Sequence, residues 1–153
     1  MGAENYGDTL IFFESKVFTE DTTGKWMSPA ECGALRRAKE IVFLLEVTAA
    51  DTETGDLFDI KVQEGLRGSA SIVANDRVRF TQVVGDDTLP KRFIARIKTA
   101  AVAGTAAPVT NLAASTVVDG PVSDLLRYIV DITDAVTTGN LTFTASLKAY
   151  VKG

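Results

Sequence analysis

Few residues of this chain have the type and spacing that catalysis requires. Its 153 residues include no histidine and a single cysteine, Cys32. Histidine is the most common general base near neutral pH and the most common zinc or copper ligand. Cys32 has no histidine to activate it as a nucleophile and no second cysteine for an intrachain disulfide. The sequence therefore predicts no catalytic residue, and we interpret Cys32 as an inert small side chain.

Two groups of acidic residues offer oxygen ligands to a metal ion. Asp51, Glu53 and Asp56 could surround a calcium ion, but their spacing lacks the glycine and the final glutamate of an EF-hand loop. The Gly-Asp-Asp string at residues 85–87 matches a short polymerase-like string, although polymerase chemistry needs further carboxylates and a much larger fold. Turn chemistry explains both groups. We therefore predict solvated turns, no metal site and no cofactor.

Enzyme motifs are missing from the sequence. It contains no phosphate-binding loop, no dinucleotide fingerprint and no nucleophile elbow. A carboxylate pair for glycoside hydrolysis is defined in space rather than in sequence, and nothing nominates two of the 20 acidic residues. A small glycosidase is the enzyme alternative, but we predict that the protein is not an enzyme.

Aromatic and basic residues in the first forty positions are candidates for contacts with a partner. Trp26, the only tryptophan, could anchor an interface, stack on a sugar or cover one end of the core. Two adjacent arginines with Lys39 form a small basic cluster, which is either a solvated face or a docking point for an acidic partner. The predicted interface residues are Tyr6, Phe12, Phe13, Phe18, Trp26, Arg36 and Arg37.

Strand patterns account for most of the chain from residue 9 onward. Residues 41–48 are rich in β-branched and aromatic side chains, and residues 57–63 alternate between apolar and polar positions. A polar turn between these two strands predicts a hairpin. Seven or eight strands separated by turns favour an all-β sandwich, and an eight-stranded jelly roll fits the count. The other predicted strands are residues 9–13, 77–83, 92–98, 125–133 and 141–151.

Three segments depart from the strand pattern. Ser-Pro-Ala-Glu at residues 28–31 is typical of a helix start and predicts a short helical segment up to residue 39. Residues 100–118 carry no charge and predict a long loop with an embedded short strand, suited to contact with a neighbouring subunit. We interpret residues 1–8 as a flexible polar arm and residues 9–153 as one domain.

Charge and hydropathy limit the partners. The formal net charge is −4, which argues against generic nucleic-acid binding because such binding relies on a basic surface. The N-terminus shows no signal-peptide pattern, and the longest apolar run, residues 41–45, is too short to span a bilayer. We expect neither a nucleic acid nor a membrane as a partner.

Three stretches of the sequence form a distinctive succession. Val-Thr-Ala-Ala at residues 47–50 is followed by Lys-Val-Gln at 61–63 and by Phe-Thr-Gln-Val at 80–83. An arginine-bearing strand at 126–133 then precedes Phe-Thr-Ala-Ser-Leu at 143–147. This order resembles the jelly-roll decoration and cement proteins of tailed bacteriophages, and the resemblance covers most of the chain after residue 40.

The resemblance implies a structural, non-enzymatic role. Such a protein binds the outer surface of the major capsid protein lattice and stabilises contacts between capsomers, usually as a homo-oligomer, here expected to be a dimer or trimer. It would be assembled in the cytoplasm of the host bacterium and would end on the capsid surface of the virion. Two alternatives stay open: a head–tail connector or tail component, and a carbohydrate-binding or receptor-binding module, since many lectins are jelly rolls.

Overall fold

The chain folds into two antiparallel β-sheets. The computed structural model describes residues 9–27, 35, 38–102, 107–135, 139 and 141–153. This described part contains ten strands and no α-helix. The strands are β1 (Thr9–Phe18), β2 (Thr22–Thr23), β3 (Glu40–Asp51), β4 (Leu57–Arg67), β5 (Ile72–Arg79), β6 (Val83–Val84), β7 (Lys91–Lys98), β8 (Thr116–Val117), β9 (Leu126–Thr133) and β10 (Thr142–Lys152).

The strand order is that of a jelly roll. The four-stranded sheet has the order β1-β10-β3-β7, and the six-stranded sheet has the order β2-β9-β4-β5-β8, with β6 paired to β4. If the short β6 and β8 are left aside, the first strand pairs with the last, the second with the last but one, and so on toward the middle of the chain. The pairs are β1 with β10, β2 with β9, β3 with β7 and β4 with β5. Two Greek keys wound into two sheets produce this nested antiparallel pairing. The predicted fold class, an all-β jelly-roll sandwich, is confirmed.

The core lies between the sheets and follows the alternation of the strands. Successive side chains of a strand point to opposite faces, and on β3 the alternate residues Ile41, Phe43 and Leu45 are fully buried. Phe58 and Ile60 on β4 are buried on the facing side. The alternation that the sequence shows in these strands is therefore the pattern of a sheet with one face in the core.

An aromatic cluster joins the two sheets at the middle of this core. The rings of Phe58 on β4 and Phe143 on β10 are stacked with their centres 4.8 Å apart. Phe13 on β1 meets Tyr128 on β9 edge-on, also at 4.8 Å. Each pair spans the two sheets, so aromatic packing links strands that share no backbone hydrogen bond.

The predicted hairpin between residues 41–48 and 57–63 is wrong. β3 pairs with β10 and β7, whereas β4 pairs with β9, β5 and β6, so the connection between β3 and β4 carries the chain from one sheet to the other. Both strands bury one apolar face. That pattern fits two strands that face each other across a sandwich as well as two neighbours in one sheet.

The remaining segment predictions have separate outcomes. The long loop with an embedded strand is confirmed for its described residues, since β8 pairs with Arg79 and Val78 of β5. The predicted helical segment falls mostly on residues outside the described part. Of its described residues, Leu35 has 3₁₀ geometry, and its carbonyl accepts from the Ala38 N–H at 3.2 Å. The predicted arm, residues 1–8, also lies outside the described residues.

Candidate interaction surfaces

The outer face of the six-stranded sheet carries polar side chains that bond to one another. Arg79 on β5 contacts Asp59 on β4 at two points: Nη2 to Oδ2 at 2.5 Å and Nε to Oδ1 at 3.1 Å. Gln82 donates to the same Oδ2 atom at 3.0 Å. The hydrogen bond to Asp59 raises the pKa of Arg79. Two-point contact fixes the orientation of both groups, so this pair acts as a clamp between β4 and β5.

Gln63 continues this network toward β9. Its amide Nε2 donates to Asp76 Oδ1 at 2.7 Å, and its carbonyl oxygen accepts from Arg127 Nε at 2.9 Å. Asp76, which is completely buried, also accepts from Lys61 Nζ at 3.3 Å and from the backbone N–H of Leu112 at 3.2 Å. The loop before β8 is therefore attached to the outer face of this sheet.

Trp26 lies at the end of the same network. The guanidinium carbon of Arg127 is 4.2 Å from the centre of the Trp26 ring, a cation–π geometry. The ring is half-buried, and a Cβ atom at Gly65 would come within 3.0 Å of it. Burial lowers the pKa of Arg127. The Trp26 ring thus packs between Arg127 and β4, and one of its faces is covered by the chain itself.

Asp131 is the acidic end of this face. It lies directly opposite Asp59 in the β4–β9 ladder, while Asp21 accepts a hydrogen bond from the nearby Ile132 N–H at 2.7 Å. Partial burial, followed by repulsion from Asp21 and Asp59, raises the pKa of Asp131. Like charges on directly opposed positions of a sheet are unfavourable, so this is a locally destabilising arrangement.

The outer face of the four-stranded sheet is different because apolar side chains form its centre. The register aligns Ile11, Leu44 and Ile94 in one row across the strands, with the charged Lys148 between the first two. Ile11 is 51 % exposed and Ile94 is 63 % exposed. We name this surface the open face and define it by five residues: Ile11, Val42, Leu44, Ile94 and Tyr150.

Three cations among and beside the residues of the open face are paired within the chain. Each of three cations has a carboxylate partner at 2.8 or 2.9 Å: the pairs are Arg92–Glu46, Arg96–Glu40 and Lys148–Glu14. Arg92 and Arg96 border the apolar residues, and Lys148 lies among them; all three already have a carboxylate partner. An exposed apolar patch with a polar border is typical of a protein-binding surface.

The described part of the chain includes two clefts beside β5 and β8. The first has a volume of about 400 Å³ and lies between the β4–β5 strands and the segments that flank β8, with the ion pair of Glu64 and Arg77 in its wall. The second has a volume of about 310 Å³ and separates β7, the edge of one sheet, from β5 and β8 of the other. The second cleft is lined by Arg79, Phe80, Thr81, Arg92, Phe93, Ile94, Ala95, Ser115, Thr116 and Val117.

Comparisons of the chain with protein-family models, with curated proteins and with solved structures gave no match. Within the described residues, no helix is long and apolar enough to cross a membrane. The same residues hold no group of three or more Asp, Glu, Cys or His side chains placed to bind a metal ion. The two sheet faces and the clefts are therefore the candidate functional surfaces.

The predicted aromatic interface residues occupy different positions. Phe13 and Phe18 are only 6 % and 2 % exposed and belong to the core, so neither side chain contributes to the surface. Phe12 is half-buried, with its ring centre 6.2 Å from that of Phe43. Trp26 packs against Arg127 as described above. Of these four, Phe12 and Trp26 retain partly exposed side chains.

The other predicted positions lie outside the described residues. These are Tyr6, Arg36, Arg37 and Cys32. The acidic groups are described, but the first is not the predicted solvated turn: Asp51 is the last residue of β3, and Asp56 is completely buried in the turn that follows. Asp56 accepts hydrogen bonds from the Glu53 and Ala135 N–H groups at 2.9 and 2.8 Å, which ties two loops together. Asp87 accepts from the Val84 N–H at 2.9 Å, and this hydrogen bond lowers the pKa of Asp87.

The open face was not predicted from the sequence. Its signal was present, since Ile94 occupies an outward position between Arg92 and Arg96 in an alternating strand. An apolar residue at an outward position indicates an apolar surface patch only when its neighbours across the sheet are also apolar. Those neighbours depend on the pairing of β7 with β3 and of β3 with β10, which the sequence does not reveal.

Proposed function

We propose that this chain is a structural protein of a tailed-phage virion, a decoration or cement protein that binds the outer surface of the major capsid protein lattice. The sequence resemblance to such proteins motivates the proposal, and the open face is the observation that carries it. This face is broad and apolar at its centre except for Lys148, which is paired with Glu14, and β1, β10, β3 and β7 all contribute to it. We assign the capsid contact to this face.

The chemistry of the open face favours a protein partner. Burying apolar surface contributes about 25 cal/mol per Å², and Ile11, Ile94 and Tyr150 are the most exposed apolar members of the face. Arg92, Arg96 and Lys148 already have carboxylate partners, so docking does not require the partner to supply matching charges for them. Tyrosine is enriched at the centres of protein interfaces.

Attachment to a lattice favours an oligomer. A dimer or trimer presents its docking face several times, and each further contact is made within a molecule that is already bound. Avidity can then exceed the single-site affinity by about 10²–10⁴-fold when the geometry permits simultaneous contacts. A weak single contact would therefore suffice for stable decoration.

Electron cryo-microscopy of the purified protein mixed with capsids that lack it tests the proposal. We expect regular added density over the junctions between capsomers, with the four-stranded sheet toward the capsid. Ile11→Glu should reduce the occupancy, because it places a charge within the docking face. Leu66→Glu is the matched control, since Leu66 is 47 % exposed but lies on the six-stranded sheet.

Each result has a defined meaning. If the density over capsomer junctions is unchanged with Leu66→Glu and lost with Ile11→Glu, the result would support both the capsid role and the docking face. Equal loss with both variants would overturn the assignment of the face. Density only at the portal or tail would replace the capsid role with that of a connector or tail component. No density would reject a virion role and direct attention to glycan binding, with Trp26 as the first residue to substitute.

A further inference from the structure

We propose that the free edge of β7 binds an extended, acidic segment of a partner protein as an additional strand of the four-stranded sheet. The proposal concerns the edge and the second cleft and does not rest on a capsid role. Adding a strand to an exposed sheet edge is a common form of peptide recognition, in which main-chain hydrogen bonds supply affinity and alternate side chains supply specificity.

The backbone of β7 presents hydrogen-bonding groups away from β3. Lys98 shows the direction: its N–H donates to Asp119 Oδ1 at 2.9 Å and its carbonyl accepts from the Gly120 N–H at 2.8 Å, both outside the ladder with β3. In an antiparallel strand, every second residue directs its N–H and C=O to the same side. The pairing of β7 with β3 contains no register shift. The backbone groups of Ile94 and Arg96 therefore point the same way as those of Lys98.

No other described sheet edge offers a comparable template. The four-stranded sheet ends on its other side at β1, where two register shifts occur and Ser15 has a φ of 43°. Bulges of this kind disrupt a ladder and protect an edge from further pairing. In the six-stranded sheet, β2 and β8 are two residues long, and β8 pairs with only Val78 and Arg79 of β5. Beyond β8, the loop residue Val109 covers the edge of β5, because its carbonyl accepts from the Asp76 N–H at 2.7 Å and its N–H donates to Asn75 Oδ1 at 2.6 Å. In contrast, β7 has eight residues.

The second cleft lies beside this edge and provides room for side chains. Its apolar wall includes Phe80, which is buried, and Phe93, which is half-buried. Thr81 and Ser115 form its polar rim, where their hydroxyl oxygens are 2.6 Å apart. Side chains of an added strand alternate between two faces, so one set would enter the cleft between the sheets. The other set would lie beside Ile94 on the open face.

Charge indicates what the added strand carries. β7 contains Lys91, Arg92, Arg96 and Lys98 and no acidic residue. Arg92 and Arg96 have side chains that are 63 % and 54 % exposed, and their carboxylate partners lie on β3. Exposed ion pairs contribute little to stability, so both guanidinium groups can share their hydrogen bonds with an incoming acid. The outward positions of the added strand are therefore acidic.

The same charges argue against a second copy of this chain as the occupant. Antiparallel pairing of two β7 strands about Ile94 would place Arg92 of one copy opposite Arg96 of the other. Shifting the centre to Ala95 would place Arg92 opposite Lys98. Like charges on directly opposed positions destabilise a sheet, so the partner segment has a different, acidic sequence.

A labelled peptide tests the inference in the absence of any capsid. The probe is a fluorescein-labelled Thr-Glu-Val-Glu-Val-Glu-Thr-amide, and the control is the same peptide with lysine in place of glutamate. Fluorescence anisotropy at about 50 mM salt avoids strong screening. We expect the acidic peptide to bind with a Kd below about 1 mM and roughly tenfold more tightly than the basic peptide.

Two changes to the protein separate strand addition from simple charge attraction. Ile94→Pro removes one outward N–H donor without removing a hydrogen bond to β3, as is tolerated at a sheet edge, and Ile94→Thr is the control that keeps the donor. We expect the proline variant alone to weaken binding at least about tenfold. The double variant Arg92→Glu/Arg96→Glu should reverse the preference and bind the lysine peptide instead.

Three results would overturn the inference: no binding of the acidic peptide up to about 1 mM, equal binding of both peptides, or equal binding by folded Ile94→Pro and Ile94→Thr. If the proline variant does not fold, as judged by circular dichroism, the charge-reversed variant decides, because an unchanged peptide preference rejects the proposal. The peptide experiment contains no capsid. Failure of capsid binding and failure of strand addition are thus distinguishable.

Discussion

Arg77 and Glu64 form an ion pair in which both side chains are almost completely buried. The guanidinium of Arg77 also donates to the carbonyl groups of Val118, Gly120 and Pro121 at 2.9–3.1 Å. Every donor position of the arginine therefore has an acceptor. One side chain thus holds the segment that leads from β8 toward β9 against β4 and β5.

Removing this arginine should destabilise the fold strongly. Arg77→Met leaves the carboxylate of Glu64 buried without its cation and leaves three carbonyl groups without a donor. Losing one partner of a buried pair costs about 3–5 kcal/mol, which urea denaturation would measure as a lower free energy of unfolding. Arg96→Met is the control, because its exposed pair with Glu40 contributes at most about 1 kcal/mol.

A double variant separates the charge from the packing. Arg77→Met/Glu64→Leu removes both members, so no unpaired buried charge remains, and part of the lost stability should return. If the single Arg77→Met change costs no more than Arg96→Met, the buried pair of Arg77 and Glu64 is unimportant for stability.

The pair of Trp26 and Arg127 provides a spectroscopic test of the network on the six-stranded sheet. Arg127→Ala removes the group that covers one face of the ring and also the donor to Gln63. Since Trp26 is the only tryptophan, its fluorescence reports this site alone. We expect stronger quenching by acrylamide and a loss of about 1 kcal/mol in unfolding free energy. Arg67→Ala, an exposed arginine on the same sheet, should leave the quenching unchanged.

Asp131 should make stability depend on pH in an unusual direction. Its folded pKa lies above the unfolded value, so the folded state holds the proton more tightly and loses stability as the pH rises between those two values. Asp131→Asn cannot ionise. Its free energy of unfolding should exceed that of the unsubstituted protein by about 0.2–1 kcal/mol at pH 7, as expected when a like-charge pair across strands is removed.

The stability gain of Asp131→Asn should disappear below pH about 3, where aspartate is protonated in both the folded and the unfolded state. Chemical denaturation of both proteins at the two pH values measures the difference. Asp86→Asn, at an exposed turn position, controls for the loss of one negative charge. An equal gain for the two variants at pH 7 would show that net charge, not the opposition to Asp59, is responsible.

The sequence predicts the strands well because alternation is a local property. The pattern of β10, in which Phe143, Ala145 and Leu147 alternate with polar residues, indicates one buried face without any knowledge of its neighbours. The partner of a strand is not local. β3 and the strand that follows it carry patterns equally suited to pairing side by side or to facing each other, and only the whole fold places them in different sheets.

The buried polar residues were beyond prediction for the same reason. Gln63 and Asp76 occupy outward positions, which normally indicate exposure, but both are buried. Their cover comes from the loop before β8, whose Leu112 N–H bonds to Asp76 across 36 residues of sequence. No motif marks such a contact. Likewise, Phe13 and Phe18 could be assigned to the core only after β1 was placed beside β10.

A final prediction concerns the close approach of Gly24 to Tyr128. The Gly24 N–H donates to the Tyr128 carbonyl at 2.9 Å, and a Cβ atom at Gly24 would lie 2.4 Å from the Tyr128 ring. That ring is buried and packs against Phe13, so it has little space into which to move. Gly24→Ala should therefore cost about 1–3 kcal/mol through overpacking, seen as a lower Tm.

Gly153→Ala is the matched control, since no atom lies within 4 Å of its added methyl group. Equal Tm values for the two variants would mean that the β2 segment shifts freely, and that the tight contact between β2 and β9 does not limit stability.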